Sequence, residues 1–144
     1  MDLLNRFLPR TDFDSYEDFK KNYKYIIPEN FNFGYDIVDE YTRIEPGKPA
    51  LIWLNDEGDE KHFTFDDVRE QSDKIANLLS GMGIKKGDRV MLILKQRPEV
   101  WFTIVALCKM GAVAIPATFQ LTEKDIIYRC EAAKVKNDNR CRGR

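Results

Sequence analysis

Residues 87–118, GDRVMLILKQRPEVWFTIVALCKMGAVAIPAT, leave a chain few ways to fold. Val90, Met91, Leu92, Ile93 and Leu94 form an unbroken apolar run, the pattern of a parallel strand covered on both faces. Pro98 suits a first helical position, where its missing N–H costs nothing, and Glu99 puts negative charge near the positive end of the helix dipole. From Val100 to Met110 the helix is apolar on nearly every side, which requires packing on more than one face. Lys109 suits the negative helix end, Gly111 supplies a left-handed stop, and residues 112–115 are a second short apolar run. Two buried strands joined by a buried helix predict a right-handed βαβ unit with parallel strands, and therefore an α/β fold.

The flanking segments add helices and a hairpin. Ser15 is placed to cap a short helix that Pro28 ends, with Tyr16, Phe19, Lys20 and Tyr23 on one side, as an extension lying on a larger body. Ile37, Val38, Tyr41 and Ile44 predict a helix over 34–45, broken by Pro46 and Gly47. Residues 50–54, the turn NDEGD and Lys61, His62 and Phe63 predict an antiparallel hairpin. Thr64 with Asp67 and Thr122 with Asp125 have capping-box spacing, with Asp in place of the usual Glu. The first opens a helix whose buried side is Val68, Ile75, Leu78, Leu79 and Met82, stopped at Gly83 and Ile84. The second opens a helix that buries Ile126, Ile127, Cys130 and Ala133.

Size and charge set the limits. A chain of 144 residues supports one modest core. Twenty-three Lys and Arg against 24 Asp and Glu give a net charge of −1, so charge makes no case for nucleic acid or an acidic membrane. Cys108, Cys130 and Cys141 lack CxxC spacing and suit a reducing compartment. The opening MDLLNRFLPR is too interrupted for a signal peptide, and no apolar run reaches the ~18 residues of a membrane span. A soluble, cytoplasmic protein is the expectation.

The search for chemistry finds no catalytic set and no metal site. A phosphate loop needs glycines in GxGxxG or GKS/GKT register; the nearest approach, Gly81 to Gly87, misses that spacing and joins a helix to a strand, the wrong order. His62 is the only histidine, which excludes His-pair zinc motifs and reads as a surface residue of the hairpin. Asp56, Glu57, Asp59 and Glu60 lack the DxDxDG register of a calcium loop. The basic end, Lys134, Lys136, Arg140, Arg142 and Arg144, has no interleaved aromatics. What remains is the crevice beyond the carboxyl ends of the parallel strands: Lys95, Gln96 and Arg97 on one side, Ala117, Thr118, Phe119 and Gln120 on the other. Lys95 and Arg97 precede a helix N-terminus and are candidate anion ligands, with solvated loop cations as the plain alternative.

Residues 63–118, FTFDDVREQSDKIANLLSGMGIKKGDRVMLILKQRPEVWFTIVALCKMGAVAIPAT, closely resemble the N-terminal region of AMP-forming acyl-CoA synthetases of the adenylate-forming superfamily. The upstream PENFNFGYDIVDEYTRIEPGKPALIWLNDEG and downstream LTEKDIIYRCEAAKVK resemble the acetyl/medium-chain branch, so the likeness covers most of residues 8–136. The resemblance implies a parent enzyme of fatty acid metabolism that joins a carboxylic acid to coenzyme A through an acyl-adenylate, using ATP and Mg²⁺ with small-molecule partners only. In such enzymes the phosphate loop, the adenine contacts and the catalytic Lys lie downstream of this region. The expectation is thus an inactive N-terminal fragment, truncated, frame-shifted or deliberately expressed, with no catalytic residue and no cofactor bound. Arg129 matches a position where some relatives contact the coenzyme A nucleotide, an exposed helical Arg being the plain alternative. On this view residues 1–136 are an incomplete domain and 137–144 a divergent, disordered basic tail. A helix without its next strand would leave a sheet edge unpaired, a possible route to a homo-oligomer. A stand-alone α/β anion-binding module is the alternative.

Overall fold

The structure is a computed structural model that describes residues 3–136, and it divides into two units after Phe31. The disordered tail expected over 137–144 lies outside the described residues.

The first unit holds a 3₁₀ turn, Leu3–Arg6, and one short helix, α1 (Tyr16–Asn22). Ser15 caps α1 as predicted, its hydroxyl accepting from the Asp18 N–H at 3.1 Å. Arg10 grips both carboxylate oxygens of Asp18, and Asn22 donates to the same group. The Asn22 amide, the Asp14 N–H and Arg10 together hold the Asp18 carboxyl below the usual range. The helix ends at Asn22 rather than at Pro28. Tyr23 adopts extended backbone (φ −62°, ψ 122°), and its ring packs against Phe19 with centroids 4.8 Å apart.

The second unit begins with a π-helical segment, Gly34–Asp39, which runs on into α2 (Glu40–Ile44). The hairpin follows as β1 (Pro49–Leu54) and β2 (Glu60–Thr64), antiparallel with Ile52 opposite His62. Then come α3 (Phe65–Gly81), β3 (Arg89–Ile93), α4 (Pro98–Met110), β4 (Val113–Ala117) and α5 (Glu123–Ala133). β3 and β4 are parallel, Arg89 facing Val113 and Ile93 facing Ala117, as the βαβ reading requires.

Both capping boxes form. Each threonine hydroxyl accepts from the aspartate N–H three residues on, and each aspartate accepts in return from the threonine backbone. These bonds hold the carboxyls of Asp67 and Asp125 below their ordinary range. Gly83 (φ +87°) and the Ile84 N–H on the Leu79 carbonyl close α3, and Gly111 (φ +64°) stops α4.

The core forms where α3 and α4 cross under the hairpin and the π-helical segment. Val38, Val68, Phe102 and Val105 are buried together, with Leu51, Phe63 and Ile75 packed around them. Phe63 meets Phe102 edge to face at 5.2 Å, and each fully buried side chain of this kind contributes about 1.5–3 kcal/mol.

Burial departs from the sequence pattern on α3, on β3 and on α5, where no residue is buried and Ile127 is 50% exposed. Leu78 and Met82, assigned to the buried stripe of α3, are 63% and 66% exposed, while Ser72 is fully buried. The buried residues of α3, Val68 and Ser72, lie in its first half, and α3 packs against α4, where Ala106 and Leu107 are fully buried. β3 is not covered on both faces either. Leu92 alone is buried and Ile93 is exposed, because the described parallel sheet has two strands and α4 reaches only part of it.

The edge of β3 away from β4 is met at its first residue. The Lys136 N–H donates to the Arg89 carbonyl at 3.0 Å, and the Lys136 ammonium bonds both the Gly83 carbonyl and the Asp88 carboxylate. The expected open edge thus receives one backbone bond at Arg89, and the described parallel sheet has two strands. The Lys136 bond, with the Lys85 N–H, lowers the Asp88 carboxyl.

Candidate functional site

The turn between β3 and α4 is built by a short-range bond, Arg97 N–H to the Lys95 carbonyl at 2.7 Å. It leaves Arg97 as the N-cap residue of α4 with extended backbone and no side-chain cap. Within that first turn the Val100 N–H donates to the Arg97 carbonyl at 3.1 Å, and Pro98 has no N–H to offer. Across from the turn, the Trp53 indole Nε1–H on β1 donates to the Gln96 carbonyl at 2.8 Å, tying hairpin to turn.

Two open hollows share this wall. The first, about 400 Å³, has Trp53, Leu94, Lys95, Arg97, Val100 and Trp101 in its lining. The second shares Trp53, Lys95 and Arg97 and adds Asp56, Glu57 and Phe119. Lys95 Nζ sits 5.5 Å from the centre of the Phe119 ring, a cation–π contact that brings the β4–α5 loop to the turn. The structure thus gathers the two predicted cations, Lys95 and Arg97, with one residue of the facing loop, as the strand-end argument expects. It also places two carboxylates in the second hollow, so the surface there is of mixed sign. Arg129 is exposed on α5 and lines neither hollow.

The other end of α4 carries a cation of a different kind. The Lys109 side chain is 1% exposed, and its Nζ lies 2.7 Å from Asp39 Oδ1 and 2.7 Å from Asp73 Oδ1. The Asp73 contact is a hydrogen bond. The Asp39 contact is close enough for an ion pair but its oxygen makes no well-aligned hydrogen bond; the short distance is the better guide to the attraction. Asn32 completes the knot, its Nδ2 donating to the Cys108 carbonyl at 2.8 Å and its Oδ1 accepting from the Gly34 N–H. A Cβ built on Gly34 would lie 2.4 Å from Lys109 Cγ, so glycine is what lets the lysine stem pass. Burial pushes the neighbouring Cys108 thiol up.

Sequence reasoning assigned Lys109 to the helix dipole and missed the knot, because Asp39 and Asp73 lie far away along the chain. It also missed Trp53, for which an apolar strand residue carries no sign of an indole N–H bond. His62 is an exposed hairpin residue beside Glu60, as read. Among the described residues, no group of three or more His, Cys, Asp or Glu side chains is arranged to hold a metal ion.

Comparison with known proteins assigns this architecture to a class of nucleotide-dependent enzymes. The model of the family described as AMP-binding enzyme matches residues 38–137, and the chain belongs to that family. The chain is 46% identical over 117 residues to rat (Rattus norvegicus) acyl-coenzyme A synthetase ACSM5, mitochondrial, covering 77% of this chain and 20% of that protein. It is 42% identical over 136 residues to human (Homo sapiens) acyl-coenzyme A synthetase ACSM3, mitochondrial, covering 90% and 23%. The chain thus spans about a fifth of the length of these relatives.

Among solved structures, the N-terminal subdomain of Klebsiella oxytoca NpsA superposes with a TM-score of 0.62 at 31% identity, over 70% of this chain and 25% of that one. The Brucella canis acyl-CoA synthetase superposes with 0.69 at 27% identity, over 74% and 19%. The fold is accordingly that of the N-terminal region of adenylate-forming enzymes, with a parallel strand pair and an antiparallel hairpin.

The cytoplasmic expectation is overturned by the same findings, since the matching relatives are named as mitochondrial. Free thiols and the absence of a long apolar helix do not distinguish one reducing aqueous compartment from another.

Proposed function

We propose that this chain is the N-terminal part of an ATP-dependent acid–CoA ligase, that residues 1–136 are an incomplete domain of it, and that these 144 residues alone make no acyl-adenylate. The observation that carries the reading is the 42% identity to a named acyl-coenzyme A synthetase over 90% of this chain but only 23% of that protein. The mitochondrial names of the relatives support the same compartment for the parent enzyme.

In the parent reaction a carboxylate oxygen attacks the α-phosphorus of ATP and pyrophosphate leaves. The coenzyme A thiol, losing its proton, then attacks the acyl carbon and AMP leaves. Mg²⁺ would offset phosphate charge in the first step.

What this chain contributes is position. Parallel strands β3 and β4 aim their carboxyl ends at one crevice, and the bond from Trp53 to Gln96 holds its wall. Lys95 and Arg97 meet an anionic group of a ligand there, and Arg129 serves the coenzyme A nucleotide.

The test is ATP–pyrophosphate exchange with a panel of carboxylic acids. The chain alone is expected to give none, and measurable exchange overturns the claim of inactivity. The gathering of Lys95, Arg97 and Phe119 at one hollow favours a second reading, a stand-alone anion-binding module. It requires saturable quenching of tryptophan fluorescence by inorganic pyrophosphate, lost in Lys95→Ala/Arg97→Ala; an unresponsive spectrum rejects it.

A further inference from the structure

The first unit carries a surface that the ligase reading does not use. From Phe19 to Ile27 the sequence is FKKNYKYII, three lysines with no acid among them, and every residue of the stretch is exposed. Ile26 and Ile27 are 55% and 61% exposed, and the rings of Phe19, Tyr23 and Tyr25 form a chain with centroids 4.8 and 6.4 Å apart.

The lysines of this stretch differ from those elsewhere. Lys48, Lys74, Lys109 and Lys136 each pair with a carboxylate. Lys20, Lys21 and Lys24 make no ion pair among the described residues, and the adjacent Asp18 is already occupied by Arg10 and Asn22. Three ammonium groups without an ion-pair contact among the described residues, with the exposed Glu17 one turn before Lys20 and Lys21, stand beside exposed isoleucines and amphipathic tyrosine rings, a combination that matches the chemistry of an anionic lipid surface. Lysine heads would meet phosphate while the apolar side chains enter the headgroup boundary.

We propose that residues 19–27 form a peripheral docking surface for an anionic phospholipid bilayer. The contact is superficial, since no helix here is long and apolar enough to cross a membrane. Its occupant is lipid rather than an acidic protein segment because the stretch pairs its charge with aliphatic side chains that a polyanion leaves in water.

Co-sedimentation of the 144-residue chain with vesicles tests this. One set is phosphatidylcholine alone and the other contains about 30% phosphatidylserine, both at ~0.1 M salt. Binding is expected only to the anionic vesicles. Lys20→Glu/Lys21→Glu/Lys24→Glu should lower the partition coefficient on the order of a hundredfold, at roughly 1 kcal/mol per lysine. The charge-matched variant Lys85→Glu/Lys86→Glu/Lys124→Glu should retain most of it. Ile26→Ser/Ile27→Ser should reduce it several-fold at unchanged circular dichroism. The proposal is overturned if the chain ignores anionic vesicles, if both triple variants lose binding equally, or if soluble polyglutamate competes the chain off at matched charge. None of these outcomes bears on adenylate formation, so this surface and the ligase reading stand or fall separately.

Discussion

The two ends of α4 hold lysines that do opposite things. At the C-terminal end Lys109 is sealed from water between carboxylates of the π-helical segment and α3; at the N-terminal end Lys95 and Arg97 stand in solvent on an open hollow. A buried charge persists only where partners are fixed around it, so the first is part of how the unit holds together. Exposed cations contribute little to stability and stay available for a ligand. A single apolar helix thus separates a buried, structural cation from two exposed ones.

The sharpest way to break this contrast is Lys109→Met, which keeps much of the stem and removes the charge. Two carboxylates then face each other without a cation, and a loss of about 2–4 kcal/mol is expected in urea unfolding, reduced from the fully buried case because Asp39 and Asp73 are partly exposed. A loss under about 1 kcal/mol would mean that the knot is incidental. Gly34→Ala comes next, at about 1–3 kcal/mol, because the new methyl group meets the pinned stem of Lys109. In a Lys109→Met background that cost should shrink, and a double-mutant cycle reads the difference. Smallest is Lys95→Ala/Arg97→Ala, expected to move the unfolding midpoint by no more than about 0.5 kcal/mol. A larger shift would make these cations part of the fold.

Local rules carried most of what could be read ahead of the coordinates. Thr64 with Asp67 and Thr122 with Asp125 act within one helical turn, and Gly111 stops α4 by its own backbone freedom, so each was visible in a few letters. The strand–helix–strand order gave the parallel pair and, through it, the location of Lys95 and Arg97. What stayed hidden depends on distant partners. Leu78 and Met82 have the right period for a buried stripe, but burial needs an element opposite them, and none of the described elements covers them. The partners of Lys109 and the indole bond of Trp53 connect residues more than thirty positions apart. The π-helical widening at Gly34–Asp39 has no period of its own in so short a segment.

The bond from Lys136 to the Arg89 carbonyl has a kinetic side. It falls on the flank of β3 opposite β4, so the residues after α5 return to the sheet and touch its open flank at one backbone bond. Such a closure joins sequence-distant parts and cannot reward the loop entropy it consumes until β3, α4 and β4 are already in place. The bond beside Arg89 thus adds to the unit only what the finished strand–helix–strand core already allows.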